Sequence, residues 1–557
     1  LIRYFTTAGD QHGWAIDEDL RLIRRALAGK ARASGLGSCD VVHAAFWLPL
    51  ALHHADVVRR RFVVAQADNP PFFYLTQPSF AWGQKLVDLW VARSTEARDQ
   101  FRDLQLPCVL VPYAIDGSLF FPIADKEAVR AKYGLPKNTY IIGNFHRDSE
   151  GSDLAKPKLQ KSPEMMLDIL RRLRAKGGNF HVLLAGPRRH WLRRELERCS
   201  IPFTFVGRDI PGDDFGTNIL ARPQLNELYN ACDLCLIPSR WEGGPQSAME
   251  AAAARTKLLS TPLGVARDIL PAPCLFDAAS EAAEKIHRDM QNGFLGASLD
   301  AQHDKVRRDH TDEAMSRHLR ALYDDIPKME SFRAKASCHK RAFADSLRDF
   351  SFRVAKRFSR LRLPQAVQLF HHQGCAPALD AAVGNLRTVF DQLGVEIRAD
   401  RSAPVVSTDA DPAAASFRLL PPGGEVRDAS DETVHIASSV QDAVNFRRLH
   451  PRSPVVVCPL VFTGGTNSGH TPCIIDENDN FASQRIWQAM LEGKVPVYPA
   501  GTAYYYQVFH GGVSHGRRRT RDEAVRIAIE ERESFLAMSR PPSLEAALSF
   551  WRGLLAA

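Results

Sequence analysis

Nowhere does this 557-residue sequence contain the roughly 18 to 20 consecutive apolar residues that a bilayer-spanning helix requires. Its opening, LIRYFTTAGDQHGW, lacks the basic-then-apolar order of a secretory signal, so a cytosolic protein is expected. The ten cysteines are scattered without the spacings of a disulfide framework, which fits a reducing compartment. One pair, Cys232 and Cys235, forms a CxxC. No second CxxC or nearby His pair completes a zinc ligand set, and both cysteines are expected in a packed core. The common nucleic-acid-binding motifs are missing as well. So is an Asp-rich motif behind a strand of the kind that holds a nucleotide through Mg²⁺ or Mn²⁺. Neither a metal nor a nucleic acid is therefore expected.

What is there is ordinary in bulk: 45% apolar and 24% charged residues exclude a disordered chain, and the length exceeds what one hydrophobic core supports. The net charge of +8 points to an anionic partner, either a nucleotide or a phospholipid surface. Along the first third, IRYFTTA, CDVVHAAFW and RRFVVAQAD read as strands and DEDLRLIRRALAG as a helix, the βαβ rhythm of a parallel sheet. A second series starts at TYIIGNF and runs through PEMMLDILRRLRAK, HVLLAGP, PFTFVG, QLNELYNA and CDLCLIPS to DEAMSRHLRALYDDI. Two Rossmann-like domains, 1–125 and 126–330, are predicted. Residues 331–364, FRAKASCHKRAFADSLRDFSFRVAKRFSRLRLP after Ser331, are dense in Arg and Lys with Phe and Leu between them. They predict an amphipathic connector that either faces water or lies on an anionic membrane surface. Residues 365–557 predict a further α/β domain, with Ala403 to Glu432 as loop.

The most informative segment is LNELYNACDLCLIPSRWEGGPQSAMEAAAARTKLLSTPLG. A strand ends at Pro238-Ser239, a loop carries Glu242-Gly243-Gly244-Pro245, and a helix starting near Gln246 carries Glu250. Ligands of open α/β sheets bind at this carboxyl edge. The glycines let backbone approach a ligand, and free amides at the helix start suit an anion. A diphosphate flanked by two polyols, a nucleotide sugar, fits that set.

The segment resembles the Glu-x7-Glu region of family 4 glycosyltransferases of the GT-B fold, in which two Rossmann-like domains face a cleft. The resemblance includes Asp233 and the PSxxEGxP loop. It implies that Glu250 accepts hydrogen bonds from ribose hydroxyls, and that Glu242 and the amides of Gly243 and Gly244, next to Pro245, contact the donor sugar. IIGNFHRDSEGSDLAKPKLQKSPEMMLDIL is similar to the family's diphosphate-binding stretch. There Arg147 and Lys161 would reach the leaving group, with Lys156 or Lys158 as alternatives because the loop is longer than usual. LVDLWVARSTEARDQFRDLQLPCVLVPYAIDGSLFFP resembles the end of the family's first domain, with a strand ending at Ser94. The His that family members often carry after an early strand is missing from FVVAQADNPP, which leaves Gln66, Asp68 or His43.

The resemblance implies a hexosyltransferase that retains anomeric configuration and needs no metal, the donor diphosphate being neutralised by Arg147 and Lys161. The acceptor would be a glycan or a lipid-linked sugar, as in polysaccharide biosynthesis. Two other readings remain: a nucleotide-sugar-binding scaffold with a decayed site, and a GT-B epimerase or phosphorylase. In the tail, PCIIDENDNFASQRIWQAMLEGKVPVYPAG aligns without gaps on the Glu242 segment, Gln488 falling on Glu250 and Asn480 on Glu242. It faintly resembles the nucleotide-binding part of fucosyltransferase-like GT-B enzymes through Glu477-Asn478 and Pro496-Val497-Tyr498. A second transferase module, a GT-B-like module without catalysis, and an unrelated α/β domain all stay open there, and GGTNSGH is a weak phosphate-loop candidate.

Overall fold

A computed structural model describes residues 1–7, 15–75, 77–151, 153–336 and 342–358, and beyond them 366–370, 386–387, 389–397, 405–407, 417–420, 433–437, 440–457, 473–474, 496–500, 503–509, 513–518 and 544–556. The chain divides into two compact units, one of Leu1–Ala92, Arg98–Val109 and Arg320–Ala557, the other of Arg93–Ala97 and Leu110–Leu319.

The first unit begins with strands β1 (Arg3–Phe5), β2 (Arg32–Ala33), β3 (Val41–Ala44), β4 (Phe62–Gln66), β5 (Leu89–Ala92) and β6 (Cys108–Leu110), in the order β2-β1-β3-β4-β5-β6. Pairing from β2 through β5 is parallel. β3 and β4 are buried at every position, which is why both read as mainly apolar runs, with only His43 and Gln66 polar, and not as alternating ones.

The second unit holds β7 (Tyr140–Asn144), β8 (Phe180–Ala185), β9 (Phe203–Val206), β10 (Leu234–Ile237) and β11 (Lys257–Ser260), ordered β11-β10-β7-β8-β9 and parallel throughout. Helices α1 (Pro163–Ala175), α2 (His190–Arg198), α3 (Arg222–Ala231) and α4 (Gln246–Ala253) belong to the same unit. α1 opens with Pro at its first position, where the missing amide costs nothing, and buries Met166, Ile169, Leu170 and Leu173 at helical spacing. They join one core with the side chains of β7, β8, β10 and α4. Cys232 and Cys235 are buried in this unit, as expected, and burial pushes both thiols up. The chain enters the sheet at β7 and winds outward both ways, so the strand order reverses between β7 and β10. In such sheets the crevice at the carboxyl ends of those two strands is the ligand site.

The last third returns to the first unit. Helix α5 (Ala342–Phe358) precedes six parallel strands, β12 (Ala366–Phe370), β13 (Glu396–Ile397), β14 (Val405–Ser407), β15 (Phe417–Leu419), β16 (Val434–Ala437) and β17 (Val455–Val457). Their order, β13-β12-β14-β15-β16-β17, repeats that of the first sheet. β14 and β15 lie inside the stretch from Ala403 to Glu432 that composition marks as loop. That expectation is corrected: the Ala, Pro, Ser and Asp around them hid two three-residue strands that pair with each other and with β12 and β16. A second, four-stranded sheet follows: β18 (Cys473–Ile474), β19 (Pro496–Ala500), β20 (Ala503–Phe509) and β21 (Val513–Arg518), the last three antiparallel. Pro496-Val497-Tyr498 is in β19, whereas Glu477, Asn478, Asn480, Gln488 and the GGTNSGH loop lie outside the described residues.

Within this unit the tail is bonded to the N-terminal segment. The Gln84 amide donates to Val455 O at 2.7 Å and accepts from its amide at 3.0 Å, Val457 N donates to Leu75 O at 2.8 Å, and the buried Arg447 donates to Leu104 O at 2.8 Å. Ala81 shares a core with Phe390, Val456 and Trp551. The boundary drawn after residue 330 thus separates segments that here share apolar contacts.

Candidate functional site

The loop after β10 and the loop after β7 emerge side by side, because Leu234 and Cys235 pair with Ile142 and Gly143. Asp233 fixes that register: its carboxylate accepts the Ile141 amide at 2.8 Å and pairs with Arg130 at 2.9 Å. Asn144, at the end of β7, donates to Leu236 O at 2.8 Å and ties the two strand ends together.

Glu242 is buried in the β10 loop. Its Oε1 accepts from Ser239 Oγ at 2.8 Å and forms an ion pair with Lys161 Nζ. Lys161 ends a short 3-10 turn, Leu159–Lys161, just before α1. Ser162, between turn and helix, is buried in the left-handed region at φ 51°, a strained position of the kind that recurs at functional sites. The two loops are clamped further by Arg240, whose amide donates to Gln160 O at 2.9 Å and whose guanidinium donates to Glu164 at 2.9 Å. Of the alternative lysines, Lys158 faces Glu150 at 3.7 Å and Lys156 pairs with Asp153 at 3.5 Å on the surface. Lys161 is the one brought to Glu242.

At Gly244 and Gly264 the backbone packs tightly. A Cβ on Gly244 would fall 2.3 Å from Tyr113 Cδ2, and one on Gly264, itself at φ +49°, 2.4 Å from Gly243 O. Glycine is required at 244 for space and at 264 for space and conformation. Pro245 is the N-cap of α4 and supplies no side-chain bond to the helix start.

Glu250, in the second turn of α4, is buried. Its Oε2 accepts from Tyr229 Oη at 2.9 Å and its Oε1 takes Arg222 Nη1. Burial pushes its carboxyl above the usual range, with the Arg222 charge pulling the other way. Arg147, just past β7, lies over the Phe215 ring with its guanidinium carbon 5.8 Å from the centroid, and Arg188 is 4.9 Å from the same ring. Burial and the Arg188 charge push the Arg147 pKa down, while Glu242 pulls it up.

Four residues near these groups escaped the sequence reading. Arg222 and Tyr229 are seven apart on α3 and so share a face, but their pairing with Glu250 exists only in the fold. Phe215 sits in an irregular loop with no periodicity to mark it. His146 is the fourth: its Nε2 is 2.7 Å from Ser247 Oγ in the first turn of α4. Burial, then Lys161, Arg189 and Arg147, hold its pKa well below the ordinary imidazole value, so it is neutral at pH 7. A sequence signal for it was its place beside Arg147.

The candidates in the first unit have their own surroundings. His43 is buried in β3, with Nδ1 3.2 Å from Tyr323 Oη and its ring stacked on that tyrosine. Asp68 accepts from Tyr74 Oη, and its carboxyl is pushed up to about 6 by burial. The Gln66 amide is buried and has no hydrogen-bond partner among the described residues. No group of three or more His, Cys, Asp or Glu able to hold a metal ion occurs among the described residues, and no described helix is long and apolar enough to cross a membrane.

Residues 154–292 match the family model described as Glycosyl transferases group 1. That stretch contains Lys161, Glu242 to Pro245 and Glu250, and begins seven residues after Arg147. No curated protein matches the chain. Among solved structures the chain is similar to HepE of Anabaena in complex with UDP-glucose, at 14% identity over 58% of this chain and 100% of that one, TM-score 0.47. It is similar to sucrose-phosphate synthase from Thermosynechococcus elongatus, at 17% identity over 57% and 80%, TM-score 0.42. A third is an α,α-trehalose-phosphate synthase (UDP-forming) from Burkholderia vietnamiensis, at 13% identity over 57% and 77%, TM-score 0.41.

Proposed function

We propose that the chain is a retaining, metal-independent glycosyltransferase of family 4 that moves a hexose from a nucleotide-diphosphate sugar to a glycan or lipid-linked acceptor. We place the reaction in the cytoplasm, within polysaccharide biosynthesis, at the inner face of the membrane when the acceptor is lipid-linked. The observation that carries the reading is the set at the reversal of strand order in the second unit, where Lys161 and Glu242 pair beside the start of α4, with Arg147 just past the neighbouring strand β7.

In this reading Glu250 takes the ribose hydroxyls and Glu242, with the Gly243 and Gly244 amides, the sugar hydroxyls. Arg147, Lys161 and the first amides of α4 stabilise the charge that grows on the departing diphosphate. Positive charge develops at the anomeric carbon as in other glycosyl transfers. The bond from that carbon to the diphosphate oxygen breaks, the bond to the acceptor oxygen forms on the same face, and the acceptor proton passes to a phosphate oxygen.

Glu250→Gln is expected to weaken donor binding roughly 5- to 10-fold, because a bond to a carboxylate is about twice as strong as one to a neutral amide. Calorimetric titration with the donor measures it, and unchanged affinity would remove Glu250 from the ribose site. Transfer is expected to persist in EDTA with the product's anomeric configuration unchanged by NMR. Loss in EDTA reversed by Mn²⁺, or an inverted product, contradicts the mechanism. A scaffold with a decayed site would bind donor without turnover, an epimerase would release altered nucleotide sugar without acceptor, and a phosphorylase would need inorganic phosphate. For residues 365–557, the repeat of the first sheet's strand order favours a second GT-B-like module.

A further inference from the structure

Helix α5 is docked on the first unit by its charged side. Asp345 is buried and takes Arg60 and, at 2.8 Å, Arg61 Nη2. Asp349, one turn on and also buried, accepts the His54 amide at 2.9 Å and lies 3.2 Å from His53 Nδ1. Leu347 and Phe350, by contrast, are 56% and 57% exposed.

At about 100° per residue, Leu347 and Phe350 share one side of the helix, opposite to Asp345 and Asp349. A helix that serves only its own fold buries its apolar stripe and leaves its charges in water. This one buries its two carboxylates, and Leu347 and Phe350 face outward.

Charge singles out the same segment. Residues 331–364 carry ten Arg or Lys against two Asp, a net +8 equal to that of the whole chain, so the remaining residues sum to zero. Both negative charges of the segment are the ones turned inward. An anionic partner that the chain's excess charge attracts is therefore drawn here.

We propose that this face of α5 lies on an anionic lipid bilayer, Leu347 and Phe350 entering the boundary between headgroups and acyl chains and the exposed Arg348 and Arg353 of the same helix meeting the lipid phosphates. Nucleic acid offers no apolar phase for Leu347 and Phe350. A second copy of the chain would set one +8 segment against another. The inference stands apart from the transferase reading, since no residue of the Glu242 site takes part.

The test is co-sedimentation of the full chain with vesicles of phosphatidylcholine, with and without one third phosphatidylglycerol. Binding to the anionic vesicles only, weakened by salt, is expected. The double change Leu347→Ser, Phe350→Ser is expected to weaken it at least about tenfold, because each exposed side chain loses its transfer into the acyl boundary, while circular dichroism stays that of the native chain. Equal binding by the double variant overturns the proposal, as does equal or absent binding to both vesicle types. Sedimentation velocity completes the test: a wild-type dimer that the double variant abolishes would make the face a contact between copies and would also overturn it.

Discussion

Lys161→Ala is expected to lower the turnover number about 100- to 1,000-fold, the loss that follows removal of one fixed donor to a developing oxyanion, whereas Lys156→Ala changes it less than about twofold. The contrast comes from position. Lys161 is held by the Leu159–Lys161 turn and the strained Ser162, with its ammonium on the buried Glu242. Lys156 is an exposed lysine paired with Asp153, and exposed pairs contribute little. The ion pair also makes Lys161 an organiser of Glu242, which would keep only the Ser239 bond at Oε1 after the substitution. Turnover at saturating donor is therefore the parameter to read, together with the donor KM. A native rate in Lys161→Ala, or a large loss in Lys156→Ala, would reassign the cation.

Trp551→Ala is expected to destabilise the first unit by about 3 to 5 kcal/mol, the usual loss for truncating a large buried aromatic, while leaving donor affinity unchanged. Trp551 is buried against Phe390, with ring centroids 5.2 Å apart and planes at 81°, and against Phe417 at 6.3 Å. This cluster includes Ala81, so the loss reaches the N-terminal segment as well as the tail. The chain has two units, and a single unfolding midpoint is not a well-defined measure of either. Hydrogen exchange at the Val457 amide, bonded to Leu75 O, reports the unit directly. Faster exchange there with unaltered donor titration is the expected result, and unchanged protection would show that the tail adds nothing to this core. The same contacts predict that a chain ending near Lys328 loses stability in the first unit while the Glu242 site, whose residues lie within the second unit, keeps its fold.

The strand, loop and helix around Glu242 were readable because they are local. Strand, glycine loop and helix follow one another from Leu234 to Glu250, and each leaves a spacing in the sequence. Asp233 and Arg147 fell in the same register. The partners of those residues did not show, since Arg222 and Tyr229 reach Glu250, and Ser247 reaches His146, only through the sheet. The tail was read less well for a related reason. β14 and β15 are three residues long among Ala, Pro and Ser, too short for any periodicity, and they exist because β12 and β16 flank them. Nothing local announces that Gln84 will bond to the backbone of Val455. For α5 the amphipathic pattern was plain, but only the burial of Asp345 and Asp349 shows which side faces out.

Calorimetric titration with UDP, GDP, ADP and CMP sugars, on the native chain and on Glu242→Ala, tests whether the Glu242 site holds a nucleotide sugar. One base class is expected to bind, with one site per chain, and Glu242→Ala to weaken the intact sugar nucleotide at least about tenfold, the value of one charge-assisted bond, while the free nucleoside diphosphate binds as before. Failure of every nucleotide sugar to bind, or equal binding of sugar nucleotide by both proteins, would contradict that assignment.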